Sequence, residues 1–209
     1  MRERPGRTAG DARILPVPTL PPFVPSPTAQ RIRIIGGRFR GRVIRFPRVA
    51  GLRPTPDRVR ETLFNWLGQD LAELATLDLY AGSGALTLEA LSRGAALAVA
   101  VDRDPTLVRA IVETAQAFGA LGLETHVADA RAWLAAETRR FDVIFVDPPF
   151  ADDPWPWLLP ACAARLAGGG YIYAEAPRAL VPPSSLAVHR HARAGQVHYH
   201  LLRHHPEPP

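Results

Sequence analysis

The chain predicts an α/β fold: a Rossmann-like, mostly parallel, doubly wound sheet of seven strands that ends in an antiparallel hairpin, preceded by a small β-hairpin. Three observations carry this reading. From residue 75 onward, strand, turn and helix patterns alternate. Phe141–Val146 is an unbroken apolar run, as suits a parallel strand buried on both faces. The last stretch, Val188–His191 and Val197–Leu202 around Ala194-Gly195, alternates in character as an antiparallel hairpin does. At 209 residues, 47% of them apolar, the chain can build one substantial core with a small appendage.

In chain order, residues 1–30 hold seven of the prolines and few large apolar groups, which predicts a disordered or extended tail. Ile32, Ile34, Phe39, Val43, Ile44 and Phe46 alternate around Gly36-Gly37 and Gly41, a small β-hairpin studded with Arg. Thr55-Pro56-Asp57 reads as a helix start: a hydroxyl cap, Pro at the first helical position and an acid in the first turn. Val59, Leu63, Phe64 and Leu67 form the apolar stripe of that helix.

The main sheet then begins. Its expected strands are 77–79, 97–101, 123–127, 141–146 and 170–175, followed by the terminal hairpin. Helices are expected at 85–93 (amphipathic), 105–118, 130–136 and 156–166, the last interrupted or kinked by Pro160. Three units result: a tail over 1–30, an Arg-rich hairpin and helix over 31–74, and a catalytic domain over 75–205.

Charge is unevenly spread. The chain has no Lys, so its 25 basic residues are all Arg. Ten lie in residues 31–60 against one acid, Asp57, a net of +9, whereas residues 61–209 net −6. An acidic body with one basic segment is the footprint of a polyanion partner, nucleic acid above all, and Arg38, Arg40, Arg42, Arg53, Arg58 and Arg60 are the expected contacts to it. No apolar run is long enough to cross a bilayer, and the opening residues are charged and Pro-rich rather than a signal sequence. The lone Cys162 excludes an internal disulfide and reads as a small buried apolar residue, in keeping with a cytoplasmic protein. His189, His191, His198 and His200 fall in paired alternation, but no zinc spacing accompanies them. They read as a polar face on an edge hairpin, with no metal.

The first strand-to-helix turn is Asp78-Leu-Tyr80-Ala-Gly82-Ser83-Gly84. Its glycines let backbone approach a ligand, and the helix from Ala85 presents free N–H groups. Thr87 occupies the place where a dinucleotide fingerprint has its third Gly, which disfavours an NAD-dependent oxidoreductase. Asp102, at the end of the second strand, can accept both hydroxyls of a ribose. Asp129, after the third, either accepts from an adenine amine or caps the helix beginning at Ala130. Three acids at successive strand ends suit a ligand with a ribose, an amine and a sulfonium charge better than a pyrophosphate. S-adenosylmethionine is the ligand expected of such a set.

Asp147-Pro148-Pro149-Phe150 follows the fourth strand directly. Paired prolines keep the backbone extended, so its carbonyls and the Asp147 carboxylate project together beyond the sheet. An amine on a nucleobase is a poor nucleophile because its lone pair is delocalised. Acceptors gripping its N–H groups free that lone pair and stabilise the charge it gains. Phe150 can stack on the unstacked base. Trp155 and Trp157 either line the base pocket or cover it.

With these motifs the sequence resembles the RsmD family of 16S rRNA guanine-N2 methyltransferases, from about residue 31 to about residue 203. The most distinctive piece is Gly51-Leu-Arg-Pro-Thr-Pro-Asp-Arg-Val-Arg-Glu-Thr-Leu-Phe-Asn-Trp-Leu67, with Ile34-Ile-Gly-Gly-Arg-Phe-Arg-Gly-Arg42, Ala81-Gly-Ser-Gly-Ala-Leu86 and Asp-Pro-Pro-Phe in support. The resemblance implies a monomeric class I methyltransferase. Gly82, Gly84, Asp102 and Asp129 would bind S-adenosylmethionine, and Asp147 with Pro148 would hold the guanine amine. The partner would be 16S rRNA in a small ribosomal subunit or its assembly intermediate. Departures are the Pro-rich residues 1–30, Thr114 where Asn is expected, and a short 151–168 segment bearing Trp155, Trp157 and Pro160. The rival substrate is adenine in DNA or RNA, although enzymes of that kind usually open the loop with Asn.

Overall fold

A computed structural model describes residues 29–52, 54–149 and 153–205. The expectations for residues 1–28 of the tail, for Arg53 and for Phe150 lie outside the described residues, and Gln30, placed in the tail, instead begins the first strand. The elements run β1 (Gln30–Arg33), β2 (Val43–Phe46), α1 (Asp57–Leu67), β3 (Ala75–Asp78), α2 (Ala85–Ser92), β4 (Leu97–Asp102) and α3 (Pro105–Phe118). Then follow β5 (Leu123–Val127), α4 (Ala130–Ala136), β6 (Phe141–Val146), α5 (Trp155–Arg165), β7 (Leu166–Ala176), β8 (Leu186–Ala194) and β9 (Val197–His204). β1 and β2 pair as a separate hairpin, and the other seven strands form one sheet in the order β5-β4-β3-β6-β7-β9-β8. The first five of these are parallel, and β9 runs antiparallel to both β7 and β8. The predicted fold class is the observed one.

The sheet is covered on both faces. α4 and α5 pack on one, with Leu134, Leu158, Leu159 and the fully buried Cys162 against Ile144, Ile172 and Leu202. α1, α2 and α3 cover the other, where Leu63 and Phe64 meet Phe145 and Tyr173, and Leu88 and Ile111 meet Ala98 and Ala100. Among the described residues no helix is long and apolar enough to cross a membrane.

α2 departs most from expectation. It is not amphipathic in use: all eight residues are buried, because the β1–β2 hairpin lies over its outer face. Two polar side chains are enclosed with it, and the hairpin backbone meets both. Ile35 N–H donates to Glu89 Oε1 at 2.5 Å, while Phe39 N–H donates to Ser92 Oγ, which donates in turn to Gly36 O. The approach depends on Gly36-Gly37. A Cβ on the first would fall on the Arg93 guanidinium, and on the second (φ +71°) on the Ser92 carbonyl.

Arg60 completes this junction and corrects an expectation. It is fully buried, donating to Glu89 at 2.8 Å, to Asp57 at 2.6 Å and to the carbonyls of Arg33 and Thr55. A side chain so enclosed has no face for a phosphate, so Arg60 leaves the list of RNA contacts. The start of α1 is also corrected. Pro56 stands at the cap position with no side-chain bond, and Thr55 turns away to donate to Glu175 instead. α5 runs through Pro160 without a break, and β7 starts earlier than expected because Leu166 pairs with Phe141 ahead of a register shift. A second shift between Val188 and Arg190 takes His189 out of the paired alternation and sets it against Tyr171, away from His191.

Removing one member of a buried ion pair leaves an uncompensated charge and costs about 3–5 kcal/mol. Arg60→Ala is expected to lose stability of that order in urea unfolding, whereas Arg58→Ala, on the exposed side of α1, changes it little.

Candidate active site at the carboxyl ends of the strands

In a parallel sheet every strand delivers its last residue to the same end. Here that end collects carboxylates: Asp78 from β3, Asp102 from β4, Asp129 just beyond β5, Asp147 just beyond β6 and Glu175 from β7. The turn after β3 closes over them. Gly84, at φ +74°, is the left-handed residue that starts α2, and a Cβ there would meet Ile111 at 2.6 Å. Gly82 is equally confined, 2.8 Å being left to Leu52 of the segment before α1. Ser83 is buried with its Oγ toward Ala85 N–H, and Tyr80 is half-buried against the core.

Asp102 is fixed by two backbone donors, Gly82 N–H on Oδ2 at 2.8 Å and Asp104 N–H on Oδ1 at 2.9 Å. Asp104 caps α3 through Thr106 N–H, as its sequence position suggests. Asp129 caps α4, taking Arg131 and Ala132 N–H on Oδ1 at 3.0 Å each, and Ala130 opens that helix buried. The cap is thus made, and through one oxygen alone. Trp155 is buried in the core, and Trp157 lies half-buried under the Arg131 guanidinium.

Asp78 is almost wholly buried and accepts from Thr87 Oγ1 at 2.8 Å. Loss of water pushes its carboxyl up to about 7, and the neighbouring Asp102 charge adds to the rise. Asp147 is half-buried, Pro148 buried and Pro149 exposed. Desolvation, then the charges of Glu175 and Asp78, hold the Asp147 carboxyl well above the usual carboxylate range. Glu175 is buried and raised by desolvation, and it accepts from Thr55 Oγ1 at 2.8 Å and Tyr173 OH at 2.9 Å.

Neither Glu175 nor Thr55 was expected at the site. The available signal was a carboxylate ending an otherwise apolar strand, Tyr171-Ile-Tyr-Ala-Glu175, and a threonine read only as a cap. Their bond ties the distinctive segment around Thr55-Pro-Asp57 directly to the strand beside the Asp147 loop.

The basic segment divides between the two ends of the sheet. Arg38, Arg40 and Arg42 are exposed, but the hairpin tip that bears them lies at the amino end, where α2 and α3 terminate. Arg38 donates to Gly119 O, and Arg42 to the carbonyls of Phe118 and Ala117, so both close the carboxyl end of α3. Exposed Arg58 lies at the opposite end, near Thr55 and Glu175.

A parallel sheet in this order, with a glycine turn after its first strand and an Asp-Pro-Pro loop after its fourth, defines a class I methyltransferase. Residues 32–203 match the family model described as Conserved hypothetical protein 95, and the chain belongs to this, the RsmD family. A relative named ribosomal RNA small subunit methyltransferase D, of Escherichia coli, is 38% identical over 182 residues, covering 83% of this chain and 90% of the relative. The solved structure of the putative methyltransferase yhhF from Escherichia coli superposes with a TM-score of 0.75 at 39% identity, covering 84% of this chain and 98% of that one. A Thermus thermophilus 16S rRNA N2 methyltransferase (RsmC), solved with AdoMet and guanosine, shares the fold alone, with a TM-score of 0.62 at 23% identity over 84% of this chain and 50% of that one.

Asp78 makes stability depend on pH in a defined direction. Its carboxyl ionises near its ordinary value when unfolded but only at about 7 when folded, so folding takes up a proton between those values. Its contribution is therefore present in acid and lost as pH rises toward and through 7. Thermal midpoints measured from pH 5 to pH 8 are expected to fall less steeply for Asp78→Asn than for the wild type.

Proposed function

We propose that the chain transfers the methyl group of S-adenosylmethionine to the exocyclic N2 amine of a guanine in 16S rRNA of the small ribosomal subunit. The observation that carries this reading is the Asp147 carboxylate, half-buried at the end of β6 between the carboxylates of β3 and β7. The name carried by the 38% identical relative supports rRNA as the substrate.

The residues suit the cofactor. Leu52 and Ile111 press so closely on Gly82 and Gly84 that no Cβ fits there, which leaves the turn as bare backbone toward a ligand. Asp102 stands ready for ribose hydroxyls, and Asp129 keeps one oxygen clear of its cap. Asp78, Tyr80, Ser83 and Ala130 would complete the cradle. When bound, S-adenosylmethionine supplies an electrophilic methyl group on a sulfonium.

The chain's own groups then handle the amine. Asp147, with the Pro148 carbonyl, accepts the N–H groups of N2 and turns its lone pair out of conjugation. As the nitrogen gains charge, its proton passes to an Asp147 oxygen. The elevated proton affinity of that carboxyl makes it a better base than an ordinary aspartate. Phe150 would stack on the guanine, Pro149 would keep the loop extended, and exposed Arg38, Arg40, Arg42 and Arg58, with Arg53, would contact the RNA backbone.

Labelled methyl transfer to small subunits lacking the modification, compared with naked 16S rRNA and with DNA, tests the reading; no incorporation into either RNA form would sink it. Asp147→Ala is expected to lower transfer by about 10²–10⁴-fold or abolish it while calorimetric cofactor binding survives. Equal loss of both would reassign Asp147 to the cofactor. Because Asp147 must be ionised to accept, transfer rises with pH on the acid limb. Glu175→Gln removes a neighbouring negative charge and is expected to move that limb to lower pH; an unmoved limb would separate Glu175 from Asp147.

A further inference from the structure

The β8–β9 hairpin carries a second group of basic and imidazole side chains. Residues 176–205 contain four Arg and six His and no Asp or Glu, within a body that is otherwise acidic. Arg178 is paired with Asp153, and the register puts Arg190 and Arg203 on the face away from Arg193 and His191. β9 runs antiparallel to β7, with His198 opposite Ala176 and His200 opposite Ala174. The β8–β9 turn therefore lies beyond the same end of the sheet as Asp147 and Glu175. β8 is three strands from β6, roughly 14 Å at ordinary strand spacing.

Cross-strand partners share a face, and here Arg193 is paired with His198 and His191 with His200. The three rings form a stack. His191 lies 4.4 Å from His200 at 8° and 5.2 Å from His198 at 13°, with His191 Nε2 3.0 Å from His198 Nδ1. The inner ring is anchored: His200 Nε2 accepts Leu180 N–H at 3.1 Å, and Nδ1 faces Ala174 O at 3.4 Å. The outer end is open, since His191 is exposed and His198 half-buried. Beside it, exposed Arg193 donates to Gly195 O and Gln196 Oε1, which orients the guanidinium on the turn. Among the described residues Arg190, Arg193 and Arg203 form no ion pair.

Charges on an edge strand ordinarily prevent edge-to-edge pairing, and Arg190 and Arg203 need no further reason. That reason does not account for a flat stack of imidazoles with a fixed base and an open face, next to an oriented arginine, at the catalytic end. Planar rings beside an unpaired cation are what single-stranded RNA requires: a surface for an unstacked base and a partner for its phosphate.

We propose that the tip of the β8–β9 hairpin is a second RNA contact, in which Arg193 pairs with a backbone phosphate and the His191–His198 stack supports an unpaired base near the nucleotide held at Asp147. This rests on RNA being the substrate, as argued above. Binding of the full chain to a 16S rRNA fragment, titrated with salt at pH 8, tests it alongside methyl transfer. Arg193→Ala is expected to weaken binding about three- to tenfold and to reduce the salt slope by about 0.7, one single-strand phosphate. Arg193→Lys keeps the cation but loses the fork to Gly195 and Gln196, so it should retain the slope; a Lys variant as weak as Ala would assign Arg193 to holding the turn and overturn the phosphate contact. The double variant His191→Ala, His198→Ala should weaken binding by about tenfold or more with the slope unchanged, because stacking releases no counterions. Calorimetric cofactor binding and thermal midpoints should match the wild type. Unchanged affinity and slope in Arg193→Ala and the double variant overturn the proposal. So does loss of transfer confined to assembled particles with unchanged affinity for naked rRNA, which would assign the surface to a ribosomal protein. A wild-type chain that binds the fragment normally but methylates neither RNA form would sink the proposed activity and leave the hairpin contact standing on its slopes.

Discussion

One buried carboxylate sets the terms for the molecule. Glu89 sits in a helix with no exposed residue, and its Oε2 has no hydrogen-bond partner among the described residues, although Arg93 Nε approaches to 3.4 Å. An ionised group so enclosed is costly unless charges and donors converge on it. They come from the Ile35 backbone, Arg60 and Arg93. Burial raises the Glu89 carboxyl, and these three partners work against that rise. Satisfying Glu89 therefore docks the β1–β2 hairpin on α2 and fixes the start of α1, which in turn aims Thr55 at Glu175. The basic segment is no arm on a tether; Ile32, Ile34, Phe39, Ile44 and Phe46 share a core with α2 and α3.

The sheet is thereby polarised. At its amino end, positive side chains meet the exposed carbonyls that finish α3, a pairing that lowers energy without need of a ligand. At its carboxyl end, like charges crowd in a poorly solvated space, and Asp78, Asp147 and Glu175 all hold protons more tightly than they would in water. Nothing in folding asks for that crowding. It persists because parallel strands deliver their ends to one place, and its cost appears as raised proton affinity of these carboxyls.

Much of this could be read from the residues. Strands and helices of the sheet followed from periodicity and turn chemistry because each is a local pattern, and the glycine turn and Asp147 loop followed because backbone geometry limits what Gly and Pro can do. What escaped was long-range. A helix pattern says nothing of a second layer arriving from 50 residues away, so α2 looked amphipathic. Arg60 looked like its exposed neighbours because sequence does not distinguish a cation facing water from one facing Glu89. Thr55 looked like a cap because the competing acceptor, Glu175, lies 120 residues downstream. The His pattern misled by a single bulged residue, which is enough to turn His189 to the other face.

The order in which the Glu89 junction is synthesised matters as well. A nascent chain emerges amino end first, so Ile35 and Arg60 are already made when Glu89 appears, and Arg93 follows within one helical turn. The acid thus never waits long for its counter-charges, although α2 leaves water only once β4, α3 and β6 have followed it. Were the same hairpin appended after the sheet, Glu89 would stand unmatched through most of synthesis. The position of the Arg-rich segment ahead of the catalytic domain is, in this light, also a schedule for burying a charge.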